Sequence, residues 1–294
     1  MKSTRVGDFR IDRVVESEGP FVPYAMLLPG ATKDLVDANA DWLKPRFVDA
    51  EDRVIAGFCS FVLRTPRHTI LVDACTGNDK DRPLRPAWHR QKNRFLETMA
   101  EAGTRPEAID FVFCTHLHVD HVGWNTRLVD GRWVPTFPNA RYLFCRREYV
   151  HWEQAQRKAV SEGTELPNHG SFADSVLPVV EAGRAVLVDS DHQLDDGVQL
   201  EPAYGHTPGS CLLHARNRGA HAIFLGDVMH SAIQLAQPAL SSQFCADPAA
   251  AARVRAGLCE RYADSQTLIL TGHFPTPNAG RIVRHRDAFR FVFA

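Results

Sequence analysis

The sequence lacks any long apolar run, any excess of one charge and any low-complexity linker. Its longest apolar stretches have the length of strands, which excludes a membrane-spanning helix of about 20 apolar residues. Lysine and arginine number 34 and aspartate and glutamate 35, so the formal net charge is −1. That balance leaves no basic footprint for nucleic acid and gives no reason to expect attraction to a membrane. Since no Pro-, Gly- or Ser-rich segment divides the 294 residues, we predict one domain over residues 1–294.

The cysteines show no Cys-x-x-Cys spacing and their number is odd, which disfavours a disulfide framework. Most lie in apolar, strand-like runs, so we expect buried, reduced thiols in a cytoplasmic protein. The first residues hold no apolar segment of the kind found in secretory signal peptides, which agrees with that location. The seven cysteines are Cys59, Cys75, Cys114, Cys145, Cys211, Cys245 and Cys259.

One short segment concentrates metal-binding side chains. Residues 115–123 read Thr-His-Leu-His-Val-Asp-His-Val-Gly and place His116, His118, Asp120 and His121 within six positions. Ordinary core packing does not require three imidazoles and a carboxylate so close together. Histidine and carboxylate are good ligands for a borderline divalent metal such as zinc. Because four donors in six residues are too many for one structural tetrahedral site of known spacing, the pattern predicts donors shared between two adjacent metals.

The segment before these donors is apolar. Residues 109–115 read Ile-Asp-Phe-Val-Phe-Cys-Thr, and their β-branched and aromatic side chains are typical of a buried strand. The donors therefore begin where a strand ends, on a loop held by the sheet, where active-site residues commonly lie. We expect Gly123 to let the chain turn tightly just after the last donor. Contact of Cys75 or Cys114 with this site is an alternative to simple burial of their thiols.

The segment Thr-His-Leu-His-Val-Asp-His resembles the signature of the metallo-β-lactamase-fold hydrolases, and further matches follow in that family's order from about residue 55 to 275. Each match places an aspartate or a histidine after an apolar strand or in a Gly-His turn. Taken alone, the two later histidines would be equally well explained as buried core residues, and the later aspartate as a helix N-cap. The matching segments are Thr69–Asp73, Gly205–Ser210 with His206, Ala222–Asp227 and Leu268–His273.

This resemblance implies a site with two divalent metal ions and a hydroxide between them. Two metals about 3.5–4 Å apart acidify bound water, so no serine or cysteine nucleophile is required. Zinc is the expected metal, with iron, manganese and cobalt as alternatives. Asp73 is expected to orient the ligand loop through hydrogen bonds rather than to bind metal. The implied ligands are His116, His118 and His206 for the first metal, Asp120, His121 and His273 for the second, and Asp227 as the bridge.

The same resemblance implies an α/β (α+β) fold with four αββα layers, in which two mixed β-sheets pack face to face with helices outside. Apolar periodicity by itself indicates only a mixture of strands and helices. Asp247 is predicted to cap a helix over residues 248–262, and Asp130-Gly131 to form the turn of a hairpin. The other predicted strands span 58–63, 69–73, 141–145, 185–188, 197–204, 211–215, 221–226 and 267–271, with helices over 87–102, 146–155 and 172–180 and a return to the sheet over 281–293.

Residues 1–50 are expected to form an N-terminal extension. Within it, residues 20–46 are predicted to be irregular and carry several large apolar side chains. In this superfamily such segments often fold over the metal site or build a dimer contact; a surface loop packed on the core is the alternative. Trp42, Phe47 and Trp124 are candidate walls of a substrate pocket, with ordinary core packing as the other explanation.

The implied reaction is hydrolysis, in which the metal-bridging hydroxide attacks a lactone, an ester or a phosphotriester. Asp120 and His230 are the candidate catalytic residues. Asp120 would bind metal and also carry a proton toward the leaving group. His230 lies three positions after Asp227 and would either act on the substrate or only orient Asp227.

The residues around Asp227 indicate which branch of the family this sequence resembles most. True β-lactamases of this fold have cysteine, serine or histidine at the position of Asp227, and quorum-quenching lactonases usually have tyrosine at the position of His230. Residues 226–234, 243–248 and 273–275 look like the methyl parathion hydrolase branch. Members of that branch hydrolyse phosphotriesters, and several relatives hydrolyse lactones or aryl esters. We therefore predict a member of this branch or of the lactonase branch.

Other reactions and a non-enzymatic role are the alternatives. A thioesterase of the glyoxalase II type or a β-lactamase-like amide hydrolase would use the same metals. A nuclease of this fold would need a basic surface that the net charge does not supply. A metal-binding sensor with a degenerate site usually lacks ligands, whereas all seven positions are filled here. The expected partner is thus a small-molecule substrate, not nucleic acid or a membrane, and relatives are commonly homodimers.

Overall fold

The computed structural model describes residues 3–294. In that range the strands are β1 (Thr4–Val6), β2 (Phe9–Pro23), β3 (Arg53–Arg64), β4 (Thr69–Val72), β5 (Phe111–Phe113), β6 (Thr126–Val129), β7 (Arg132–Pro135), β8 (Arg141–Cys145), β9 (Ala185–Val188), β10 (Gln193–Asp195), β11 (Val198–Pro202), β12 (Cys211–Asn217), β13 (Ala220–Phe224), β14 (Leu268–Leu270), β15 (Ala279–His285) and β16 (Ala288–Phe293). The α-helices are α1 (Tyr24–Leu27), α2 (Lys33–Ala38), α3 (Ala40–Leu43), α4 (Phe95–Glu101), α5 (Val119–Val122), α6 (Arg146–Glu162), α7 (Leu177–Glu181), α8 (Ile233–Ala236) and α9 (Pro248–Tyr262).

Two seven-stranded sheets form the centre of the protein. The first has the order β1-β2-β3-β4-β5-β8-β9 and the second runs from β10 to β16 in sequence order. The strands from β1 to β4 are antiparallel, whereas β4, β5, β8 and β9 are parallel to one another. In the second sheet only β13 and β14 are parallel. Parallel neighbours end at the same edge of a sheet, and the loops that leave such an edge are a common place for a binding site.

Alternation of side chains along the strands produces the layers, because successive residues point to opposite faces of a sheet. On β3, Phe61 packs between the two sheets while Val62 faces the helix α4. On β13, Phe224 packs between the sheets while Ile223 faces α9. The rings of Phe61 and Phe224 meet edge to face, with their centroids 5.4 Å apart. This helix–sheet–sheet–helix order confirms the predicted αββα arrangement.

Two local predictions are confirmed with their turn and cap chemistry. Asp130 and Gly131 both have positive φ values and join β6 to β7 in a two-stranded hairpin. Asp247 precedes α9 and accepts a hydrogen bond from the backbone N–H of Ala250 at 2.9 Å. This carboxylate satisfies one of the backbone donors that every helix N-terminus leaves free.

The helix predicted over residues 87–102 is wrong in its first half. The helix α4 begins only at Phe95, whose backbone N–H donates to Asn93 Oδ1 at 3.1 Å. Arg90 has a φ of 47°, which an α-helix does not allow. In contrast, α6 continues beyond the predicted residue 155 and ends at Glu162, which is followed by Gly163 with a φ of 64°. No helix formed by residues 3–294 is both long enough and apolar enough to cross a membrane.

The prediction of an irregular segment over residues 20–46 is also wrong. Its first residues complete the long strand β2, and α1, α2 and α3 follow. The apolar–polar alternation of β2 starts with buried Phe9, exposed Arg10 and buried Ile11, but the next residue, Asp12, is also buried, beside Arg64. This buried ion pair interrupts the pattern by which a half-buried strand is identified in a sequence.

Asp195 links the two sheets, and its replacement by asparagine is expected to lower stability by about 2 kcal/mol at pH 7. Its buried carboxylate accepts hydrogen bonds from Thr65 Oγ1 at 2.6 Å and Arg67 Nε at 2.9 Å, and it lies 2.9 Å from His68 Nδ1. Burial opposes ionisation, but these hydrogen bonds outweigh it and hold the pKa of Asp195 below its ordinary value. The carboxylate therefore contributes stability above a pH of about 4, and this contribution is lost as the pH falls below that value.

Urea unfolding of the wild type and of Asp195→Asn at pH 7, 5 and 3.5 would measure this effect. We expect the difference between the two proteins to be largest at pH 7 and to shrink at pH 3.5. The exposed neighbour Asp196 provides the matched control, Asp196→Asn. A difference for Asp195→Asn that is the same at all three pH values would contradict the assignment.

Candidate functional site

The ends of three strands and one further loop deliver the predicted donors to a single edge of the sandwich. The segment after β5 carries the first four donors, and α5 holds two of them within one helical turn. The loop between β11 and β12 carries one histidine, and the chain after β13 and after β14 carries one donor each. The structure brings together all seven residues that the sequence singles out, namely His116, His118, Asp120, His121, His206, Asp227 and His273.

The first group consists of His116, His118, His206 and Asp227, whose donor atoms all lie within 4.8 Å of one another. His118 Nδ1 lies 3.1 Å from His116 Nε2 and 2.8 Å from His206 Nε2, and the last two atoms are 3.2 Å apart. Three ring nitrogens that face one point cannot all be satisfied by hydrogen bonds among themselves. Burial and the neighbouring imidazoles hold the pKa values of His116 and His118 well below the ordinary value. At His206 the Asp227 carboxylate outweighs burial and raises the pKa to about 9.

The second group consists of Asp120, His121 and His273. The Nε2 atoms of the two histidines lie 3.3 Å apart. The Asp120 Oδ2 atom lies 3.7 Å from His273 Nε2 and 3.9 Å from His121 Nε2. These distances leave the three side chains facing a common centre, which is the arrangement expected of a second cation site.

Asp227 lies between the two groups and offers one oxygen to each. Its Oδ2 atom is 3.2 Å from His206 Nε2, while its Oδ1 atom is 2.9 Å from His273 Nε2 and 3.1 Å from His121 Nε2. Although these two nitrogens are near, Oδ1 is buried and takes part in no hydrogen bond among residues 3–294. Burial opposes ionisation of Asp227, but the histidines around it hold its pKa well below the ordinary value. A buried carboxylate oxygen that approaches imidazoles without hydrogen bonding to them fits coordination of a cation, so the donor set is compatible with two metals.

Polar contacts support the donors from behind. Asp73 accepts a hydrogen bond from the backbone N–H of Thr115 at 2.8 Å and lies 3.0 Å from His121 Nδ1, so it orients the ring from behind. The His273 Nδ1 atom lies 3.2 Å from the carbonyl oxygen of Gly57. Such contacts fix which ring nitrogen faces the site. As predicted, Asp73 supports the donor loop and is not part of either donor group.

Gly123 lets its own backbone approach that of Thr76 closely, and it is not needed for a special backbone angle. Its φ is −55°, which any residue can adopt, so the expected tight turn is wrong. A Cβ atom at this position would lie 2.0 Å from the carbonyl of Thr76. The glycine therefore lets the loop after β4, which carries Asp73, pack directly against the end of the donor loop.

Glu148 is a buried residue of the site that the sequence analysis missed. Its Oε1 atom accepts hydrogen bonds from the backbone N–H of Leu117 at 3.1 Å and from Trp152 Nε1 at 2.7 Å. Its Oε2 atom accepts one from the backbone N–H of Gly209 at 2.9 Å. Glu148 thus ties the loop that carries His116 and His118 to the loop after His206. No motif marks it, because a glutamate in the first turn of a helix is common in exposed positions.

His230 contacts Asp227 and lines the space above the donors. Its Nε2 atom lies 3.2 Å from Asp227 Oδ2, and its ring centroid is 4.8 Å from that of His206. The ring lines the cavity described below. These positions are compatible with both alternatives, action on the substrate and orientation of Asp227.

A cavity of about 230 Å³ opens above the donors. This volume is just below the roughly 300–1,000 Å³ that is usual for small-molecule sites. The wall is mostly apolar, with five phenylalanine or tryptophan side chains, and it also includes three polar side chains that carry nitrogen atoms. Besides the donors and His230, the cavity is lined by Phe21, Leu27, Ala56, Phe58, Arg85, Trp88, Val119, Trp152, Asn168, His169 and Phe244.

The predicted pocket walls Trp42, Phe47 and Trp124 are wrong, because all three are used in core packing. Trp124 stacks on Phe95 at 5.2 Å and donates to Glu16 at 2.7 Å. Trp42 packs edge to face on Phe47 at 6.2 Å. The aromatic walls instead come from β2, β3 and α6 and from the loops that carry Trp88 and Phe244.

The cysteines are all free, as predicted, and most are buried. Cys75 contacts Ser60 and Cys114 contacts Asn125, so neither belongs to the donor groups. The half-buried Cys245 was not singled out, yet its Sγ atom lies 3.6 Å from His206 Nδ1. The Cys245 thiol therefore lies behind the His206 ring. Behind the His121 ring the corresponding group is the Asp73 carboxylate, and behind the His273 ring it is the carbonyl oxygen of Gly57.

Two curated relatives share part of this chain. An N-acyl homoserine lactonase from a Bacillus species is 26% identical over 131 residues, which are 44% of this chain and 42% of that protein. The N-acyl homoserine lactonase of Bacillus cereus is 25% identical over 131 residues with the same coverage. The match thus spans less than half the length of either relative.

Solved structures are similar over the whole chain. The hydrolase AbOPH of the β-lactamase superfamily has a TM-score of 0.80 at 21% identity and matches over 99% of this chain and 96% of its own. The dizinc quorum-quenching lactonase AidC, in complex with a homoserine product, has a TM-score of 0.79 at 19% identity, over 100% of this chain and 97% of its own. The model of the metallo-β-lactamase superfamily matches residues 55–273, well over half of the sequence. With that match and the shared fold, this chain belongs to the metallo-β-lactamase superfamily.

Proposed function

We propose that this protein is a metal-dependent hydrolase that binds two divalent cations and opens a lactone or a related ester. The observation that carries the proposal is the position of Asp227, which offers one oxygen to each of the two donor groups. The first group, His116, His118 and His206, would hold one cation, and Asp120, His121 and His273 would hold the other. The histidine and carboxylate donors favour zinc, with iron, manganese and cobalt as alternatives.

When bound, such a pair of cations lowers the pKa of water and polarises the oxygen of the substrate. The chain itself positions the metal-binding side chains and excludes bulk water from the site. Asp73 and Glu148 hold the donor loops, and the aromatic walls surround the reacting group with low-dielectric material. Asp120 lines the cavity, so its carboxylate lies where a proton can pass to the leaving oxygen. His230 is the second group available for a proton or for a hydrogen bond to the substrate.

The lactone is the favoured substrate class because lactonases recur among the relatives and the similar structures. The cavity supports it, since one polar floor and mostly apolar walls suit a small ring with an apolar substituent. Aryl esters and phosphotriesters use the same attack on an electrophilic centre and are the nearest alternatives. A thioester, a β-lactam and a sensor role without turnover remain as outcomes of the test.

The test is a panel of substrates offered to metal-reconstituted protein. The purified protein would be chelated and reloaded with Zn, Mn, Co or Fe, then assayed against N-hexanoyl homoserine lactone, a simple lactone, an aryl ester, methyl paraoxon, a thioester and a cephalosporin. We expect two metals per chain and turnover of the lactone, with turnover lost in His118→Ala. His192→Ala, a half-exposed histidine outside the cavity, is the matched control and should keep full activity. Metal binding without turnover of any substrate would overturn the proposal.

A further inference from the structure

Arg85 is a cation in the cavity wall without a carboxylate partner. It is half-buried and lines the same cavity as the donor groups. Its neighbours on the same loop are paired: Arg82 contacts Asp174 at 2.7 Å, and Arg90 contacts Asp81 at 3.2 Å. In the part of the chain that the structure describes, Arg85 forms no such ion pair. A guanidinium held partly out of water gains more from a bound anion than an exposed one does.

His169 holds the Arg85 side chain from one side. The Arg85 Nε–H donates to His169 Nε2 at 3.3 Å. Burial and the charges of Arg85 and Arg82 lower the pKa of His169, which keeps its ring neutral and able to accept this hydrogen bond. Because Nε is used in this way, the two terminal nitrogens of the guanidinium remain for another ligand. Phe244 lies against the group, with the Arg85 Cζ atom 5.7 Å from the ring centroid.

The residue before His169 connects this pair to the donor loop. Asn168 donates to the carbonyl oxygen of Leu117 at 2.7 Å and accepts from the backbone N–H of Val119 at 3.0 Å. Asn168 and His169 have φ values of 53° and 55°, the left-handed region that asparagine tolerates better than most residues. This strained turn places the His169 ring in the cavity wall beside the donors.

The loop that carries Arg85 is anchored at several points. Arg82 makes two hydrogen bonds to the Asp174 carboxylate, at 2.7 and 2.9 Å. Lys80 is buried and donates to Thr126 Oγ1 at 2.6 Å. The backbone N–H of Trp88 donates to the carbonyl oxygen of Arg85 at 2.8 Å, which closes a turn around it. A side chain on such a fixed loop is preorganised, so little conformational freedom is lost when a ligand binds.

We infer that Arg85 binds a carboxylate of the substrate, so that the natural substrate is an anionic ester or lactone. This inference rests on the proposed function and names the substrate class for the same site. The planar guanidinium pairs with a carboxylate through two parallel hydrogen bonds, and the aromatic walls strengthen the charge interaction by excluding water. His169 acts as a positioning residue that turns the guanidinium toward the cavity. Binding of an uncharged amide oxygen by Arg85 is the competing outcome of the test.

The kinetic test compares two esters that differ in one charge. The metal-loaded protein would be assayed with mono-4-nitrophenyl glutarate, which is anionic, and with its neutral methyl ester. We expect kcat/KM to be at least about tenfold higher for the anionic ester, through a lower KM, because a paired guanidinium and carboxylate form strong, charge-assisted hydrogen bonds. Arg85→Gln should abolish this preference by raising KM for the anionic ester far more than for the neutral one, and Arg85→Lys should keep part of it. Arg90→Gln, an exposed arginine of the same loop, is the matched control and should change neither rate.

A binding measurement separates this inference from the proposed reaction. Glutarate and monomethyl glutarate would be titrated calorimetrically into the metal-loaded wild type and Arg85→Gln. Each ligand offers one carboxylate to the metals, but only glutarate has a second one for Arg85. Tighter binding of glutarate that disappears in Arg85→Gln supports the inference even if no ester is turned over, and the proposed reaction would then fail alone. Equal affinities in the wild type, or hydrolysis of neutral and anionic esters that falls equally in Arg85→Gln, would overturn it.

Discussion

Asp227→Asn is expected to lower kcat/KM for the best substrate by at least about 10³-fold. The loss should exceed the roughly 10–100-fold that is typical when a residue behind a metal ligand is replaced. Asn has nearly the same shape, so the side chain still fits between the two donor groups. It has no negative charge, however, and only one oxygen, whereas Asp227 offers one oxygen to His206 and the other to His121 and His273. An amide therefore cannot serve both groups in the same way.

Metal content and kinetics would be measured together for this variant. We expect fewer than two metals per chain after reconstitution with zinc, together with the loss of turnover. Asp189→Asn, which changes an exposed aspartate whose carboxylate pairs with Arg146, is the matched control and should bind two metals and retain full activity. A cooperative unfolding transition of the metal-free variant, compared with that of the metal-free wild type, would show that the variant still folds. Two bound metals and wild-type turnover in Asp227→Asn would contradict the role proposed for this carboxylate.

Glu148→Gln is expected to cause the second largest loss, about 2–4 kcal/mol of stability and about 10–100-fold in kcat/KM. The three hydrogen bonds that Glu148 accepts, from Leu117, Gly209 and Trp152, need both carboxylate oxygens. The amide of glutamine turns one of these oxygens into a donor. At least one buried N–H then loses its acceptor, and the loops on either side of the first donor group are no longer tied together.

The measurement must distinguish a shift of the donor side chains in the folded protein from a lower stability of the whole protein. Urea unfolding gives the stability, and kcat, KM and metal content at low temperature give the state of the site in the folded protein. We expect kcat to fall even where the variant is fully folded, since the donors of the first group shift. Glu153→Gln on the same helix, which affects a partly exposed pair with Arg157, serves as the control and should change little. If only the unfolding midpoint changes and kcat is retained, Glu148 is a structural residue alone.

The predictions from sequence succeed where the chemistry is local. The donors around His118 lie within six residues, so their proximity does not depend on the fold. The cap at Asp247 and the hairpin turn at Asp130 depend only on neighbours in the chain, and both are as predicted. The long strand β2 was missed because buried Asp12 pairs with Arg64, a residue far away in the sequence. An ion pair of this kind cannot be seen in the alternation of one segment.

The walls of the pocket likewise could not be predicted from the sequence. Trp124 and Trp42 have the size and polarity of wall residues, yet both pack in the interior. The actual wall residues Trp88 and Phe244 lie on loops that approach the donors only after the sheets have packed. Their positions depend on anchors such as Arg82 with Asp174, which are 92 residues apart in the chain.

By itself, the sequence determined the donor set and the family to which the chain belongs, because ligand types and their order along strand ends are local properties. Only the tertiary structure decided the distances at which Asp227 approaches both groups, that Glu148 ties the loops of the first group together and that Arg85 lines the cavity. These relations join residues far apart in the sequence. They arise from the face-to-face packing of the two sheets, which brings loops from both sheets to one edge, and no pattern within one segment encodes the resulting distances.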